Sequence, residues 1–254
     1  MNMKVKMSVR TGYLALLIAA LACCAPASAE LLRFTGAPHF LPAPVMVVGA
    51  YAPKDAGVPE GSANFAVFHR GGVLSSGKDG GPVRIAFGIN GNAARSWTYQ
   101  CVKAGGACTV NLPSLKYLAE MDLLGSFSGR PLSGDVTLLE ADGGFQDKLK
   151  AAGLTAAKGE TVNAPMIQEF PISLECELED EVHIDPEGKA RLMVLKVRKV
   201  WADEAWIDAK GRICPTSSEG DSLIFFSHSH GSNGGYYGYG QFLGKSEEVS
   251  KAYR

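Results

Sequence analysis

From residue 44 to residue 227 the chain is a succession of short apolar runs, rich in β-branched residues and cut by Gly, Pro and Asp. Pro44 to Tyr51 (PVMVVGAY) is apolar almost throughout and predicts a buried strand. Ser62 to Phe68 (SANFAVF) predicts a second, broken at Gly71-Gly72 and resumed at Val73-Leu74. Val83 to Ile89 (VRIAFGI) alternates as a third strand, and Cys108 to Leu112 (CTVNL) is a fourth, stopped by Pro113. Pro171 to Glu179, a long bent strand or strand pair from Arg191 to Trp206, and Ser222 to Ser227 (SLIFFS) complete the set. Three segments carry helical signals instead. Arg95 to Ala104 starts among Ser and Thr and stops at Gly105-Gly106; Ser114 to Leu124 has Ser114 as its N-cap; residues 145–152 are closed by Gly153. Asp208 to Gly211 reads as a turn and Gly231 to Gly240 as a Gly/Tyr loop.

Six or seven short strands with three short helices predict a mainly β protein, a barrel with peripheral helices, and not alternating βαβ units. No G-x-G-x-x-G follows a first strand, and there is no G-x-S-x-G elbow and no H-E-x-x-H. Dinucleotide-fold, serine-hydrolase and zinc-protease readings therefore have no support.

The first 29 residues read as a cleaved secretion signal. Lys4, Lys6 and Arg10 precede the apolar stretch Tyr13 to Ala22, which is too short to span a bilayer, and Ala27-Ser28-Ala29 is a small-residue cleavage site. There is no Arg-Arg pair, which favours the general secretory route. Cys23 or Cys24 offers a lipid anchor as the alternative. The expected location is exported and periplasmic, with residues 30–254 forming a single domain. Three basic residues and no acid leave with the signal, so the mature chain is more acidic than the full chain's −1. Nothing suggests nucleic-acid binding, and no mature segment is long and apolar enough to cross a membrane. Of six cysteines, Cys101, Cys108, Cys176 and Cys214 remain, as disulfides or as buried thiols; no C-x-x-C pair marks zinc.

Candidate chemistry sits at four places. Asn90 to Tyr99 (NGNAARSWTY) leads from a strand into a helix, where backbone N–H groups with Arg95, Ser96 and Thr98 suit a phosphate; an ordinary Ser/Thr-capped helix is the plainer reading. Gly71 and Gly72, beside His69 and Arg70, permit close approach of a flat ring, or mark a bulge. His228 and His230 share a face on a strand but lack a third ligand, so no metal site is expected. Tyr236, Tyr237 and Tyr239 stand among glycines, as a stacking platform, an interface or a surface loop.

In order and spacing, several segments together resemble the flavoredoxin and flavin reductase-like family. They are APVMVVGAY, NFAVFHRGGVLSS, RSWTYQCVKAGGACTVNLP, FSGR, DKLKAAGLT, VNAPMIQEFPISLEC, VWADEAWIDAKGR and GGYYGYGQFLGK. Each is weak alone, and the series runs from Phe40 to Lys251. The resemblance implies a split β-barrel that dimerises, an FMN per subunit near the dimer interface, and oxidoreductase-type electron transfer. It places the phosphate side on Arg95, Ser96, Trp97 and Thr98, with Asn64, Lys148 and an aromatic at Phe225 or Phe226 as further cofactor contacts. Arg70, Gly71 and Gly72 are expected beside the ring. The chain departs from the family pattern at Arg70, and at Ala190 to Val197 (ARLMVLKV), where Ala190 replaces a His and Leu195-Lys196 a Gly-Glu. Two insertions are also expected, SSGKDGGP and residues 131–144. The alternative is a non-enzymatic barrel holding another planar ligand or a partner protein.

Overall fold

The strand Met46–Tyr51 (β2) is buried on both faces, and the fold is laid out around it. Met46, Val48 and Ala50 join a first core with Phe87, Val110, Met193 and Leu195. Val47, with Val45 just before the strand, joins a second core with Phe65, Met121, Leu124, Ile167 and Phe226. Successive side chains on a strand point to opposite faces, so one apolar run serves two cores. The structure is a computed structural model describing residues 41–78, 80–91, 93–130, 147–227 and 234–240. All of these lie in the compact unit His39–Arg254. The expected secretion signal, the 131–144 insertion and His228 and His230 lie outside the described residues.

β2 lies in a seven-stranded antiparallel sheet. The other members are β3 (Ala63–Phe68), β4 (Gly71–Ser76), β5 (Val83–Ile89), β6 (Ala107–Leu112), β9 (Ile172–His183) and β10 (Arg191–Ala202). The order is β3-β2-β6-β9-β10-β5-β4, so the two edge strands are consecutive in sequence. Only His69 and Arg70 separate them, which forces the edges to one corner and curls the sheet into a split barrel. The rings of Phe68 and Phe87 meet across that closure at 4.7 Å. Two smaller sheets flank it: β1 (Ala43–Pro44) with β11 (Ile224–Ser227) and β12 (Gly235–Gly238), and β7 (Ala156–Lys158) with β8 (Pro165–Ile167). The α-helices among the described residues are α1 (Trp97–Gly105), α2 (Leu118–Ser126) and α3 (Lys148–Ala151).

The expected mainly β split barrel is present, with local differences. Gly71 opens β4 and does not merely interrupt a strand, and the register shift falls later, between Val73 and Ser75. The segment after Ser114 is a 3-10 turn, Leu115–Tyr117, followed by α2, and Ser114 makes no side-chain cap bond. The helix expected over 145–152 is shorter, with Asp147 as its cap. The long strand ends at Ala202, before a 3-10 turn at Glu204–Trp206. Part of the Gly/Tyr loop is a strand, β12. The four cysteines among the described residues are thiols, and Cys101, Cys108 and Cys176 are buried. Among the described residues no helix is long and apolar enough to cross a membrane.

Polar side chains pin β8 across the sheet. Asn111 Nδ2 donates to Val47 O and Thr109 Oγ1, both at 2.9 Å, while its Oδ1 accepts from Ile167 N and Ser173 Oγ. Nearby, Gly49 has no room for a side chain: a Cβ there would lie 2.4 Å from Pro165 O and 2.7 Å from Thr109 Oγ1. Gly49→Ala is expected to destabilise by about 2 kcal/mol, read as a lower urea midpoint with an unchanged slope.

Glu175, fully buried in β9, is held by neutral donors. Trp201 Nε1 donates to Oε1 at 2.6 Å, while Thr161 Oγ1 at 2.8 Å and Val162 N at 3.0 Å donate to Oε2, with Thr161 N beside them. Burial acts to raise its pKa, but these donors outweigh it and hold the carboxyl down at about 2. A carboxyl depressed in the fold stabilises above its unfolded pKa, near 4.5. That contribution is lost as pH falls from there towards 2. Glu175→Gln should cost about 2 kcal/mol at pH 7. The gap from the parent protein should close in acid, as followed by urea unfolding at pH 7 and pH 3.

Candidate functional site: a cation cluster at the start of α1

The 3-10 turn Ala93–Arg95 leads into α1. Ser96 caps α1 in extended conformation, with its Oγ accepting from Tyr99 N at 3.4 Å. α1 is ended by Gly106 at φ 64°, where its N–H bonds Val102 O. The first turn of α1 therefore carries Ser96, Trp97 and Thr98 together with unpaired backbone N–H groups, a setting that favours an anion.

Buried Thr98 accepts a hydrogen bond from Asn64 Nδ2, in β3, at 2.9 Å. Gly129 closes on this pair; a Cβ there would lie 2.5 Å from Asn64 Oδ1 and 3.6 Å from Lys148 Cε. Next to Gly129, the Arg130 guanidinium donates to Arg95 O. Lys148, at the start of α3, is only 5% exposed. Its ammonium donates to Leu124 O and Phe127 O, both at 2.8 Å, where α2 ends. It thus satisfies carbonyls that the helix terminus leaves without intrahelical partners.

Arg130 is thus joined to the Arg95 backbone and Lys148 packs by the adjoining Gly129, and none of these three cations makes an ion pair among the described residues. Burial pushes the Lys148 ammonium down to about 8. Its titratable neighbour Cys101, in α1, is pushed by burial up to about 12 and stays a neutral thiol. Trp97 brings a second unsatisfied donor, a buried indole Nε1 without an acceptor among the described residues.

Of the residues expected from sequence, Asn64, Arg95, Ser96, Thr98 and Lys148 are linked in this cluster, and Trp97 starts its helix. Arg70, Gly71 and Gly72 belong to the barrel corner. There the Asn90 amide oxygen, turned to face it, accepts from Arg70 Nε at 3.1 Å. A Cβ on Gly71 would lie 2.0 Å from Ala86 O, so the close approach at this glycine is by the neighbouring strand. Phe226 is buried in the second core, its ring 4.1 Å from that of His69 and 5.4 Å from that of Tyr236. Phe225 stacks on Tyr237 at 5.4 Å. The Tyr236 hydroxyl donates to Asp122 Oδ1 at 2.7 Å, fastening β12 to α2.

Residues 39–217 match the family profile described as "Flavin reductase like domain". The chain belongs to the flavin reductase-like family. Among solved structures, the protein is similar to flavoredoxin of Desulfovibrio vulgaris (Miyazaki F), at 24% identity and a TM-score of 0.66, over 87% of this chain and 100% of that one. It is also similar to an FMN-binding protein from Thermus thermophilus, at 17% identity and a TM-score of 0.57, with 87% and 100% covered. At these identities the likeness shows the shared fold. An uncharacterized protein of Bacillus subtilis (strain 168), YdfE, is 30% identical over 146 residues. That match takes in 55% of this chain and spans 63% of the relative's length.

In this flavin reductase-like protein, sequence reasoning left out the parts played by Gly129 and Arg130. They lie in the FSGR segment quoted for resemblance, but the close approach to Asn64 and the bond to Arg95 O depend on a turn that sequence does not show. Leu195, where the family pattern has Gly, is fully buried in the first core. Its side chain fills the barrel interior and does not join the cation cluster.

Lys148 also sets a pH dependence. Below about 8 the folded protein carries a buried ammonium, whereas the unfolded chain keeps its lysine charged up to about 10.5. Between these values the unfolded state binds more protons, so the stability of the ligand-free protein rises with pH across this window. Lys148→Met is expected to remove that rise, measured as the difference between the two proteins' urea midpoints at pH 7.5 and pH 10.

Proposed function

We propose that the protein binds FMN at the start of α1 and transfers electrons through it as an exported flavoprotein. The observation that carries this reading is the buried Lys148 ammonium without a carboxylate among the described residues, packed by Gly129 beside the Asn64–Thr98 pair at the first turn of α1. A buried charge without a counter-ion is costly, and an anionic ligand supplies what the fold leaves out. Family membership and the FMN-binding Thermus protein of the same fold support a flavin as that ligand. The donor set fits it: cations and N–H groups for a phosphate, and the Asn64–Thr98 pair for a polar chain.

Bound FMN would supply the redox chemistry, while the chain supplies charge, position and exclusion of water. By the same reading, the protein works as a homodimer. Export, argued from residues 1–29, favours a protein or small-molecule electron donor over a pyridine nucleotide. The packed position of Phe226 and the filled barrel at Leu195 are the observations that favour the alternative, a barrel binding another planar ligand or a partner.

Protein purified from the exported fraction is expected to show flavin absorption bands that bleach with dithionite. Stripped protein should quench FMN fluorescence and bind riboflavin more weakly. Arg95→Ala and Arg130→Ala should each weaken FMN binding about tenfold, which is about 1.4 kcal/mol. Colourless protein that leaves FMN fluorescence unchanged would overturn the proposal.

A further inference from the structure

Lys148 performs two tasks that need different numbers of protons. Holding the end of α2 takes two N–H donors, one for Leu124 O and one for Phe127 O. A neutral amine still has two, so it can keep both carbonyls satisfied. Only the ammonium has a third donor and a positive charge to offer an anion.

Among the described residues, the surroundings leave Lys148 as the group that decides the charge. From α1 the titratable neighbour is Cys101, neutral across the physiological range. From β3 it meets Asn64, which does not titrate, through the close approach of Gly129. Arg95 and Arg130, just before α1 and on the turn after α2, are exposed guanidinium groups. On α2, Asp122 is engaged by the Tyr236 hydroxyl and Glu120 is in the first turn, at the opposite end from the carbonyls Lys148 holds. On α3, the Asp147 carboxylate accepts from Lys150 N.

We propose that in alkaline solution anion binding at this site takes up a proton at Lys148 without loosening the fold that carries the site. This rests on the FMN reading for the identity of the anion, and on the chain alone for the proton. The amine acts as a fixed latch on α2, and its protonation switches the counter-charge on. Because a phosphate monoester is already close to fully ionised above pH 7, loss of affinity on raising the pH reports on the protein.

The test follows the Lys148 side chain by NMR in full-length protein carrying labelled lysine, assigned with Lys148→Met. In flavin-free protein its titration should fall about two pH units below that of an ordinary lysine, with amide-exchange protection of α2 unchanged through it. FMN should raise the midpoint, and FMN should bind about tenfold more weakly at pH 9.5 than at pH 7. Lys148→Met should bind weakly and equally at both. Equal affinity of the parent protein at the two pH values, or loss of α2 protection as Lys148 titrates, would overturn the inference. If FMN fails to bind at pH 7, the flavin reading falls by itself. The same titration with inorganic phosphate then decides: a raised midpoint supports the proton link, and an unmoved one refutes it.

Discussion

A strand buried on both faces has no direction in which to send a side chain of the wrong size or polarity, and β2 is such a strand. Its even-numbered residues fill the barrel, and Val47, with Val45 just before the strand, fills the space beneath α2, α3 and β11. At Gly49 the alternation meets β8 so closely that hydrogen is the largest substituent that fits. Every element of the cation cluster takes its position from this strand or its immediate partner. β3 pairs with β2 and presents Asn64, α1 lies against β2 and presents Thr98, and α2 and α3 cover Val45 and Val47 on the second face. The site is thus positioned by apolar packing as well as by its own polar bonds.

The only buried charged side chains among the described residues are Glu175 and Lys148, and the fold treats them differently. Glu175 receives neutral donors on both oxygens and is held ionised far below the usual carboxylate range. It is complete, and its role ends with fixing the loop after β7 to β9. Lys148 receives two carbonyls and, among the described residues, no anion, and its charge is held at a cost. A structural ion is surrounded until its charge is satisfied, whereas a ligand-binding ion is left short by one partner. That contrast separates the two without reference to any relative.

Much of the barrel was legible because period-two runs such as VRIAFGI and PVMVVGAY carry their own burial pattern. β7 and β8 were not, since three-residue strands show no periodicity, and β12 was hidden among glycines that read as a loop. The site was legible only in part. Asn64, Thr98 and Lys148 are far apart in sequence, and what unites them is a turn at Gly129 and a helix end needing donors. The role of Lys148 as a latch could not be read from a Lys-rich helical pattern, because its partners are backbone carbonyls. Phe226 and the Gly71-Gly72 pair were expected beside a ring; the fold places Phe226 in the second core and Gly71 against Ala86, packing that sequence alone did not show.

The departures at Ala190 to Val197 bear on this arrangement less than their number suggests. The cluster is drawn from β3, α1, the turn after α2 and α3, and no residue of that segment belongs to it. Its link to α1 runs through Glu181, in β9, which binds Arg191 on one side and Tyr99 and Lys103 on the other. These contacts fasten α1 through the Tyr99 hydroxyl in its first turn and Lys103 in its last, where Lys103 also suits the helix dipole. They use none of the N–H groups at its start. The altered strand therefore contributes an anchor for the helix and leaves the N–H groups of the first turn of α1, where an anion is proposed to bind, untouched.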